Sequence, residues 1–303
     1  MSPRTIAVTG ASGLIGTALA EHLTSRGDRV VRFSRSGGAG RDVIAWDPRS
    51  GTLEADKLRG VDAVVHLAGA GIGDKRWTTD YKREILESRT KSTSLLATAM
   101  ADLGDGPRVL LSGSAIGYYG ESLDSTFTES SPAGSGFLAD VCEQWEAATA
   151  PAERAGIRVA HLRTGIVLSP RGGALKKLLP LFKLGAGGRM GSGRQWQSWI
   201  SIDDEIGAID HLLSASVSGA VNLTAPRPVT QAEFTKTLAH VLRRPSLLPV
   251  PSFGPKLLLG SELADALLFT GQRVLPEVLG ASGYQFRHHD LETALRSLLD
   301  RPA

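Results

Sequence analysis

Short apolar runs alternate with stretches of helical periodicity along the first half of the chain. A run of about four to eight apolar residues bounded by turn residues is typical of a buried strand. Segments of this kind, some of them shorter or interrupted by polar residues, predict strands at residues 5–9, 29–34, 63–67, 109–111 and 158–162. Apolar positions at helical spacing predict helices from residue 14 to the Gly27-Asp28 pair, at 79–102 and at 137–155.

This alternation predicts an α/β fold. Strands that alternate with helices form a parallel sheet with helices on both faces. Because crossovers between parallel strands are right-handed, the economical arrangement is a doubly wound sheet of the Rossmann type. We assign residues 1–166 to a nucleotide-binding domain and expect residues 198–224 to complete its sheet.

The alternation ends after Thr164. Residues 170–198 are rich in glycine and arginine, which suits a loop near an anionic ligand or a merely exposed loop, and the pattern leaves both open. Beyond them the chain predicts a helix at 203–216, a strand at 220–223, a helix from Thr230 to about Arg243 and helices near 256–268 and 290–299. We expect residues 167–197 and 225–303 to form a smaller C-terminal lobe.

Composition narrows the class of protein. The chain has 303 residues, 42% of them hydrophobic and 21% charged, which suits a large globular domain with a smaller companion. No apolar run reaches the roughly 18 residues of a membrane span, and the first residues enter a strand without a signal peptide. The single cysteine, Cys142, cannot form an internal disulfide. We therefore expect a cytoplasmic protein.

The net charge of +3 is spread along the chain without a dense basic run. A nucleic-acid partner would require a concentrated basic patch, so we expect none, and we expect no membrane partner. A small-molecule substrate is the expected partner, and a homodimer is left open.

A glycine-rich turn joins the first predicted strand to the first predicted helix. It carries Gly10, Gly13 and Gly16 in a G-x-x-G-x-x-G spacing. The first glycine allows a tight turn, the second lets the backbone approach a pyrophosphate, and the third lets helix and strand pack closely. The helix N-terminus then offers amides and a positive dipole end to the phosphates. We expect a dinucleotide to contact Gly10, Ser12, Gly13, Leu14 and Ile15.

The end of the second strand discriminates NADP from NAD. An acidic residue there binds the ribose 2′-hydroxyl, whereas an arginine accommodates the 2′-phosphate. Residues 29–40 contain no Asp or Glu and include Arg32-Phe-Ser-Arg35. We therefore predict NADP(H), with Ser34 and Arg35 as contacts of the 2′-phosphate. The alternative is a solvated arginine beside NAD.

Four segments resemble the extended short-chain dehydrogenase/reductase family: Thr9-Gly-Ala-Ser-Gly-Leu-Ile-Gly16, His66-Leu-Ala-Gly69, Ser112-Gly-Ser-Ala-Ile-Gly-Tyr-Tyr-Gly120 and Ile202-Asp-Asp204. Others are similar to its atypical "epimerase family protein" subfamily, which has a C-terminal domain of unknown function: Lys75-Arg-Trp77, Ser88-Arg89, Trp145-Glu146, Ala225-Pro-Arg-Pro-Val229 and Arg273-Val-Leu-Pro276.

The resemblance implies a Rossmann-type NADP-binding domain with the C-terminal lobe over the nicotinamide end. It implies that Leu67, Ala68 and Gly69 line the adenosine side of the cofactor. It also implies that the segment with Ser112 and Ser114 lies beside the nicotinamide. Arg89 joins the cofactor contacts on the same basis.

The sequence departs from the larger family at its Tyr-x-x-x-Lys pair. In that family the tyrosine exchanges a proton with the substrate, the lysine lowers the tyrosine pKa, and a serine orients the carbonyl. Ser114 matches the serine, but Phe137 and Val141 stand at the tyrosine and lysine positions. We expect Ser114, Tyr118 and Tyr119 to carry the catalysis.

Other residues are weaker candidates for the missing proton relay. Lys75 and Arg76 follow the third predicted strand, at the sheet edge where ligands bind in such folds. Asp140 and Glu143 lie on the altered helix, where carboxylates are usually solvated.

Three further features do not suggest a site. His288 and His289 are adjacent, so their rings point apart, and we expect no metal. His66 lies inside a strand and suits a satisfied core histidine, while Cys142 suits a buried, inert thiol.

Two functions stay open. The first is an NADP-dependent oxidoreductase or epimerase that acts on a small carbonyl, hydroxyl or sugar-like substrate. The second is a catalytically silent NADP-binding regulator or redox sensor. The cofactor turn and Ser114 favour the first, and the lost Tyr-x-x-x-Lys pair favours the second.

Overall fold

The computed structural model describes residues 3–37, 40–246, 249–251 and 253–301. In chain order, its strands are β1 (Thr5–Thr9), β2 (Arg29–Ser34), β3 (Val43–Asp47), β4 (Thr52–Leu53), β5 (Ala63–His66), β6 (Val109–Ala115), β7 (Thr126–Phe127), β8 (Arg158–Thr164), β9 (Ile166–Leu168), β10 (Trp196–Gln197), β11 (Trp199–Ser201), β12 (Gly219–Leu223), β13 (Val229–Thr230) and β14 (Arg273–Val274).

The α-helices are α1 (Leu14–Ser25), α2 (Thr79–Asp102), α3 (Phe137–Ala147), α4 (Ala150–Arg154), α5 (Gly173–Lys183), α6 (Ile202–Ser214), α7 (Gln231–Leu242), α8 (Phe253–Leu259), α9 (Ser261–Ala264), α10 (Glu277–Ala281) and α11 (Leu291–Leu298). Short 3-10 turns lie at Ala55–Leu58 and Ile116–Tyr119, and a π turn lies at Asp265–Phe269.

The centre of the fold is a sheet in the order β12-β8-β6-β5-β1-β2-β3-β4. Neighbouring strands are parallel, except that β4 runs antiparallel to β3. The chain moves outward from β1 to β2 and β3, then returns to place β5 on the other side of β1. The strand order therefore reverses between β1 and β5, where doubly wound sheets leave a crevice for ligands.

Helices cover both faces of this sheet, which confirms the predicted doubly wound α/β class. On one face α1 packs beside α6, and Leu19 and Ile209 are fully buried there. On the other face α2 packs beside α3 and α4, with Leu96 and Ala152 fully buried. The six predicted sheet strands are confirmed as β1, β2, β5, β6, β8 and β12.

Strands β3 and β4 are not among the predicted strands. β3 contains a short apolar run, residues 43–46, in which Ile44 and Trp46 are buried, so its pattern is present in the sequence and was overlooked. β4 has only two residues, too few to form a recognisable pattern.

The loop predicted over residues 170–198 is wrong for its first half, because α5 occupies part of it. Leu175, Leu179 and Phe182 recur at helical spacing and are buried in a second apolar cluster with α7 and α11. Glycines at both ends of this short amphipathic segment obscure its periodicity.

Two predicted helices are broken in the structure. The helix expected at 137–155 is divided into α3 and α4 just before Pro151, whose nitrogen has no hydrogen to continue the ladder. The helix expected near 256–268 is divided at Gly260, which has φ +88°. The capping box is confirmed, since Thr230 Oγ accepts from the Glu233 amide and Glu233 accepts from the Thr230 amide.

A carboxylic acid lies fully buried under the end of β8. Glu205, on α6, has no exposed surface, and its Oε1 accepts from Thr164 Oγ at 3.0 Å. Within the described part of the chain its Oε2 has no partner. Burial raises the pKa of Glu205 to about 8, so the side chain is protonated at neutral pH.

This acid makes the stability depend on pH. Between the unfolded pKa near 4.5 and the folded value of about 8, the folded state keeps a proton that the unfolded state loses. Stability therefore falls as the pH rises from about 5 to 8, by a few kcal/mol at most. We expect Glu205→Gln to flatten this slope in urea unfolding. The exposed Glu143→Gln should keep it, and an unchanged slope in Glu205→Gln would contradict the assignment.

Candidate functional site

The glycine turn after β1 lies against the end of β5. Gly10 has φ +65°, and a Cβ there would lie 2.8 Å from the Leu67 carbonyl oxygen. A Cβ at Gly16 would collide with the Gly10 backbone. The Gly13 amide donates to the Gly10 carbonyl at 2.9 Å, which closes the turn. Side chains at these positions would push the turn away from the crevice between β1 and β5.

The N-terminus of α1 opens into this crevice with its backbone amides uncovered by side chains. Gly13 is the N-cap, and the first turn contains no acidic residue. Helix amides and the positive dipole end form a natural binding place for an anion. Ser12 and Gly13, with Leu14 and Ile15 of the first helical turn, form this end of the turn and helix.

Thr9 fixes the segment after β5. Its Oγ accepts from the amides of Leu67 at 3.0 Å and Ala68 at 3.1 Å. Because both lone pairs are taken, its hydrogen goes to His66 Nδ1 at 2.7 Å. Residues 67–69 are thereby held at the mouth of the crevice, where the resemblance places the adenosine.

His66 is a satisfied core histidine, as predicted. It has no exposed surface, and burial lowers its pKa to about 3. Since Nδ1 accepts from Thr9, the neutral ring carries its proton on Nε2 and donates to Thr93 at 3.0 Å. The ring therefore supports the crevice from below and carries no charge at neutral pH.

The end of β2 carries the predicted 2′-phosphate contacts. Ser34 is half-buried and its Oγ donates to the Gly37 carbonyl at 2.9 Å. Arg35 is exposed, and across the described ranges it forms no ion pair. The strand and turn thus offer a free guanidinium and no competing carboxylate.

Arg89, on α2, is a buried cation without a carboxylate partner among the described residues. It is 7% exposed, stacks on Trp145 at 4.9 Å and donates to the Ile85 carbonyl of its own helix. Burial lowers the pKa of its guanidinium. A Cβ at Gly69 would lie 3.2 Å from Arg89 Cζ, so the glycine leaves room for this cation beside the crevice.

A polar chain joins the ends of β6 and β8. Ser114 Oγ donates to Glu146 Oε1 at 2.6 Å, and Arg163 donates to both oxygens of Glu146 at 2.8 Å each. Ser112 lies on the same strand and is fully buried. The predicted catalytic serine is therefore tied to a carboxylate.

The two predicted catalytic tyrosines differ in their surroundings. Tyr119 is 2% exposed; its hydroxyl donates to Asn222 at 2.7 Å and accepts from Arg163 at 2.9 Å. Burial raises its pKa. Tyr118 is half-buried, with Arg163 Cζ only 3.4 Å from its ring centre. Both tyrosines thus support Arg163, and Tyr118 is the one nearer to solvent.

The positions of the lost Tyr-x-x-x-Lys pair are apolar. Phe137 packs edge-on against Trp77 at 5.0 Å, and Val141 is buried with Tyr81 and Ile85. Neither side chain has a group that could donate or accept a proton.

The weaker candidates contact other groups or are exposed. The Arg76 guanidinium donates to the Leu258 carbonyl at 3.1 Å, which ties the loop after β5 to α8. Lys75 lies 3.5 Å from Glu84, while Asp140 and Glu143 are exposed.

Two further expectations agree with the structure. His288 is buried while His289 is exposed, so the adjacent rings do point apart. Cys142 is buried, and its burial raises the pKa of the thiol to about 11.

Sequence reasoning missed the partners of Ser114. Glu146 and Arg163 lie 17 residues apart on different elements, and Asn222 lies on a third. The available signal was Arg163 itself, a charged residue near the end of a predicted buried strand.

Within the described residues, no helix combines the length and apolar character that crossing a membrane demands.

One relative, 38% identical over 98% of this chain and 87% of its own length, is named as a chloroplastic homolog of epimerase family protein SDR39U1 from Arabidopsis thaliana.

Comparison with known proteins extends over the whole chain. An epimerase family protein of Mycobacterium bovis is 43% identical over 303 residues, which is 100% of both chains. The crystal structure of human epimerase family protein SDR39U1 with NADPH superposes with a TM-score of 0.88. It is 35% identical and covers 98% of this chain and 99% of that chain.

Two family profiles match the sequence. A domain of unknown function, DUF1731, matches residues 250–298. The NAD dependent epimerase/dehydratase family matches residues 6–224, which span the central sheet and the glycine turn. The chain therefore belongs to the NAD dependent epimerase/dehydratase family and carries DUF1731 near its C-terminal end.

Proposed function

We propose that the protein is an NADP(H)-dependent oxidoreductase or epimerase that acts on a small carbonyl, hydroxyl or sugar-like substrate. The observation that carries this proposal is the uncapped N-terminus of α1 in the β1/β5 crevice, with an exposed arginine and no acid at the end of β2. The human relative crystallised with NADPH supports the choice of the phosphorylated cofactor.

The residues present fit such a cofactor. The amides of residues 12–15 would take the pyrophosphate, Ser34 and Arg35 the 2′-phosphate, and residues 67–69 the adenosine side. Arg89 would supply a buried positive charge that has no counter-ion among the residues that the structure describes. When bound, the nicotinamide supplies or accepts a hydride.

The chemical step is assigned to the end of β6. Ser114 would contact the substrate oxygen there, next to the segment that the resemblance places at the nicotinamide. Of the two tyrosines, we assign Tyr118 to proton exchange because its ring is the less buried. Tyr119 then acts as a support for Arg163 and Asn222.

A catalytically silent sensor is the second candidate function. It rests on one observation, the apolar packing of Phe137 and Val141 where a proton relay would lie. A sensor needs different affinities for the oxidised and reduced cofactor, whereas an enzyme needs turnover.

Single-turnover oxidation of bound NADPH separates the two functions. The purified protein is loaded with NADPH and mixed with a panel of aldehydes, ketones and keto sugars. The proposal expects at least one carbonyl to discharge the bound NADPH, with loss of its absorbance. If none does while NADPH stays bound, the sensor function replaces the enzyme.

Reversal of charge at residue 35 tests the 2′-phosphate contact. Arg35→Glu places a carboxylate where a phosphate dianion is expected, so NADPH should lose its advantage over NADH without loss of folding. Titration by NADPH fluorescence measures the effect. The same charge change at exposed Arg244 should leave both affinities unchanged, and wild-type NADPH affinity in Arg35→Glu would refute the contact.

A side chain at residue 13 tests the turn geometry. Gly13→Val fills the space in front of the α1 amides, and its Cβ would lie 3.3 Å from the Gly10 carbonyl oxygen. We expect NADPH binding to fall below detection. Gly280→Val on α10 points into open space and serves as the control. Unchanged binding in Gly13→Val would mean that the phosphates lie elsewhere.

Removal of the buried Arg89 charge should weaken NADPH binding without lowering the stability of the ligand-free protein. Arg89→Leu should weaken NADPH binding roughly tenfold to a hundredfold, the worth of one to two charged hydrogen bonds. Because burying an unpaired charge is costly, the ligand-free variant should unfold at the same or a higher temperature. Exposed Arg83→Leu on the same helix is the control. A less stable variant with normal NADPH affinity would make Arg89 purely structural.

A further inference from the structure

The hydroxyl of Ser114 has its hydrogen committed. Ser114 is 5% exposed, and its Oγ donates to Glu146 Oε1 at 2.6 Å, a short distance typical of a bond to a charged acceptor. A serine hydroxyl has one hydrogen and two lone pairs. With the hydrogen bound to Glu146, the oxygen can offer only lone pairs to a ligand.

The direction of this bond follows from the charge on Glu146. Burial by itself raises the pKa of Glu146, but the hydrogen bonds from Arg163 and Ser114 outweigh it and hold the pKa below its usual range. The carboxylate is therefore ionised at neutral pH and can only accept. His161, 3.9 Å away, has its pKa lowered by burial and adds no fixed charge.

Arg163 in turn cannot easily release the carboxylate. It donates to both oxygens of Glu146, to the Tyr119 hydroxyl, and lies flat on the Tyr118 ring. Tyr119 is anchored by Asn222 on β12. The role of Ser114 as donor to Glu146 is thus fixed by contacts that extend over three neighbouring strands of the sheet, β6, β8 and β12.

We propose that Glu146 is a positioning residue that fixes Ser114 as a hydrogen-bond acceptor, so that Ser114 accepts a hydrogen bond from a substrate hydroxyl and offers none to a carbonyl oxygen. This rests on the proposed function, which places the reacting oxygen at Ser114. The resemblance implies that this serine orients a carbonyl, to which it would donate its hydrogen. In our proposal the serine accepts a hydrogen bond from the substrate instead. The site would then hold the alcohol form of its substrate more tightly than the matching carbonyl.

The overall equilibrium between free alcohol and free carbonyl is a property of the substrate and cofactor, and the protein does not change it. The hydrogen bonds of Glu146 and Arg163 therefore change only how tightly each form binds. Its effect is visible in complexes that cannot react, with the alcohol bound beside NADPH and the ketone beside NADP⁺. Cyclohexanol and cyclohexanone form a matched probe pair of nearly equal size.

The hydrogen position can be observed without any substrate. Neutron diffraction from deuterium-exchanged crystals of the NADP⁺ complex should show the deuterium of Ser114 on the line to Glu146. A deuterium that points away from Glu146, toward the cofactor, would overturn the proposal. This measurement uses the unaltered protein and so does not depend on how a variant folds.

Binding of the probe pair tests the consequence. In the wild type we expect cyclohexanol to bind roughly fivefold to tenfold more tightly than cyclohexanone, the worth of one neutral hydrogen bond. Ser114→Ala should remove this difference. The double variant Glu146→Leu with Arg163→Met removes both charges together, since either alone would be left buried and unpaired, and should improve ketone binding.

Glu143→Gln, exposed on the same helix, is the control and should match the wild type. Failure to prefer the alcohol, in a protein that binds NADPH tightly, overturns this inference and leaves the proposed function standing. Failure to bind NADPH at all overturns the proposed function itself, whatever the neutron density shows.

Discussion

The close approach of the Gly10 turn to the end of β5 is the constraint on which the site depends. The turn can reach the Leu67 carbonyl only because it has no side chains there, and the Thr9 hydroxyl then binds the two amides beyond it. This contact joins two strands that are adjacent in space and far apart in the chain. It sets the crevice, aims the α1 amides into it, and requires His66 to be a neutral core residue.

A second constraint acts at the ends of β6 and β8. There the fold buries an arginine and a glutamate, and it satisfies both by pairing them and by bonding Ser114, Tyr119 and Asn222 around them. A buried ion pair gives little net stability, but its loss on one side is costly. The network therefore holds one arrangement of these groups at the ends of β6 and β8.

The sequence pattern predicts the elements that are determined by residues close together in the chain, and not the contacts between distant residues. The strand β1 follows from its short apolar run, and the turn from its glycines, so fold class and cofactor crevice are readable from the sequence. The helix α5 is hidden because flanking glycines break its short apolar period. The partners of Ser114 are hidden for another reason: Glu146 is 32 residues away, and only the packing of α3 on the sheet brings them together. Arg89 is predicted as a cofactor contact through resemblance alone, since nothing in its local spacing marks it as a buried cation.

The central claim is that this crevice binds NADP(H) through its 2′-phosphate, and one titration tests it most directly. The purified protein is titrated with NADPH, NADP⁺, NADH and NAD⁺ while nicotinamide fluorescence and thermal stability are followed. A ligand that binds only the folded state raises its stability by about 2.7 kcal/mol at a hundred times its Kd. The account predicts that NADPH and NADP⁺ raise the unfolding temperature and bind at least roughly tenfold more tightly than NADH and NAD⁺. Equal affinity for all four would contradict the phosphate contact, and no binding to any of them would contradict the account as a whole.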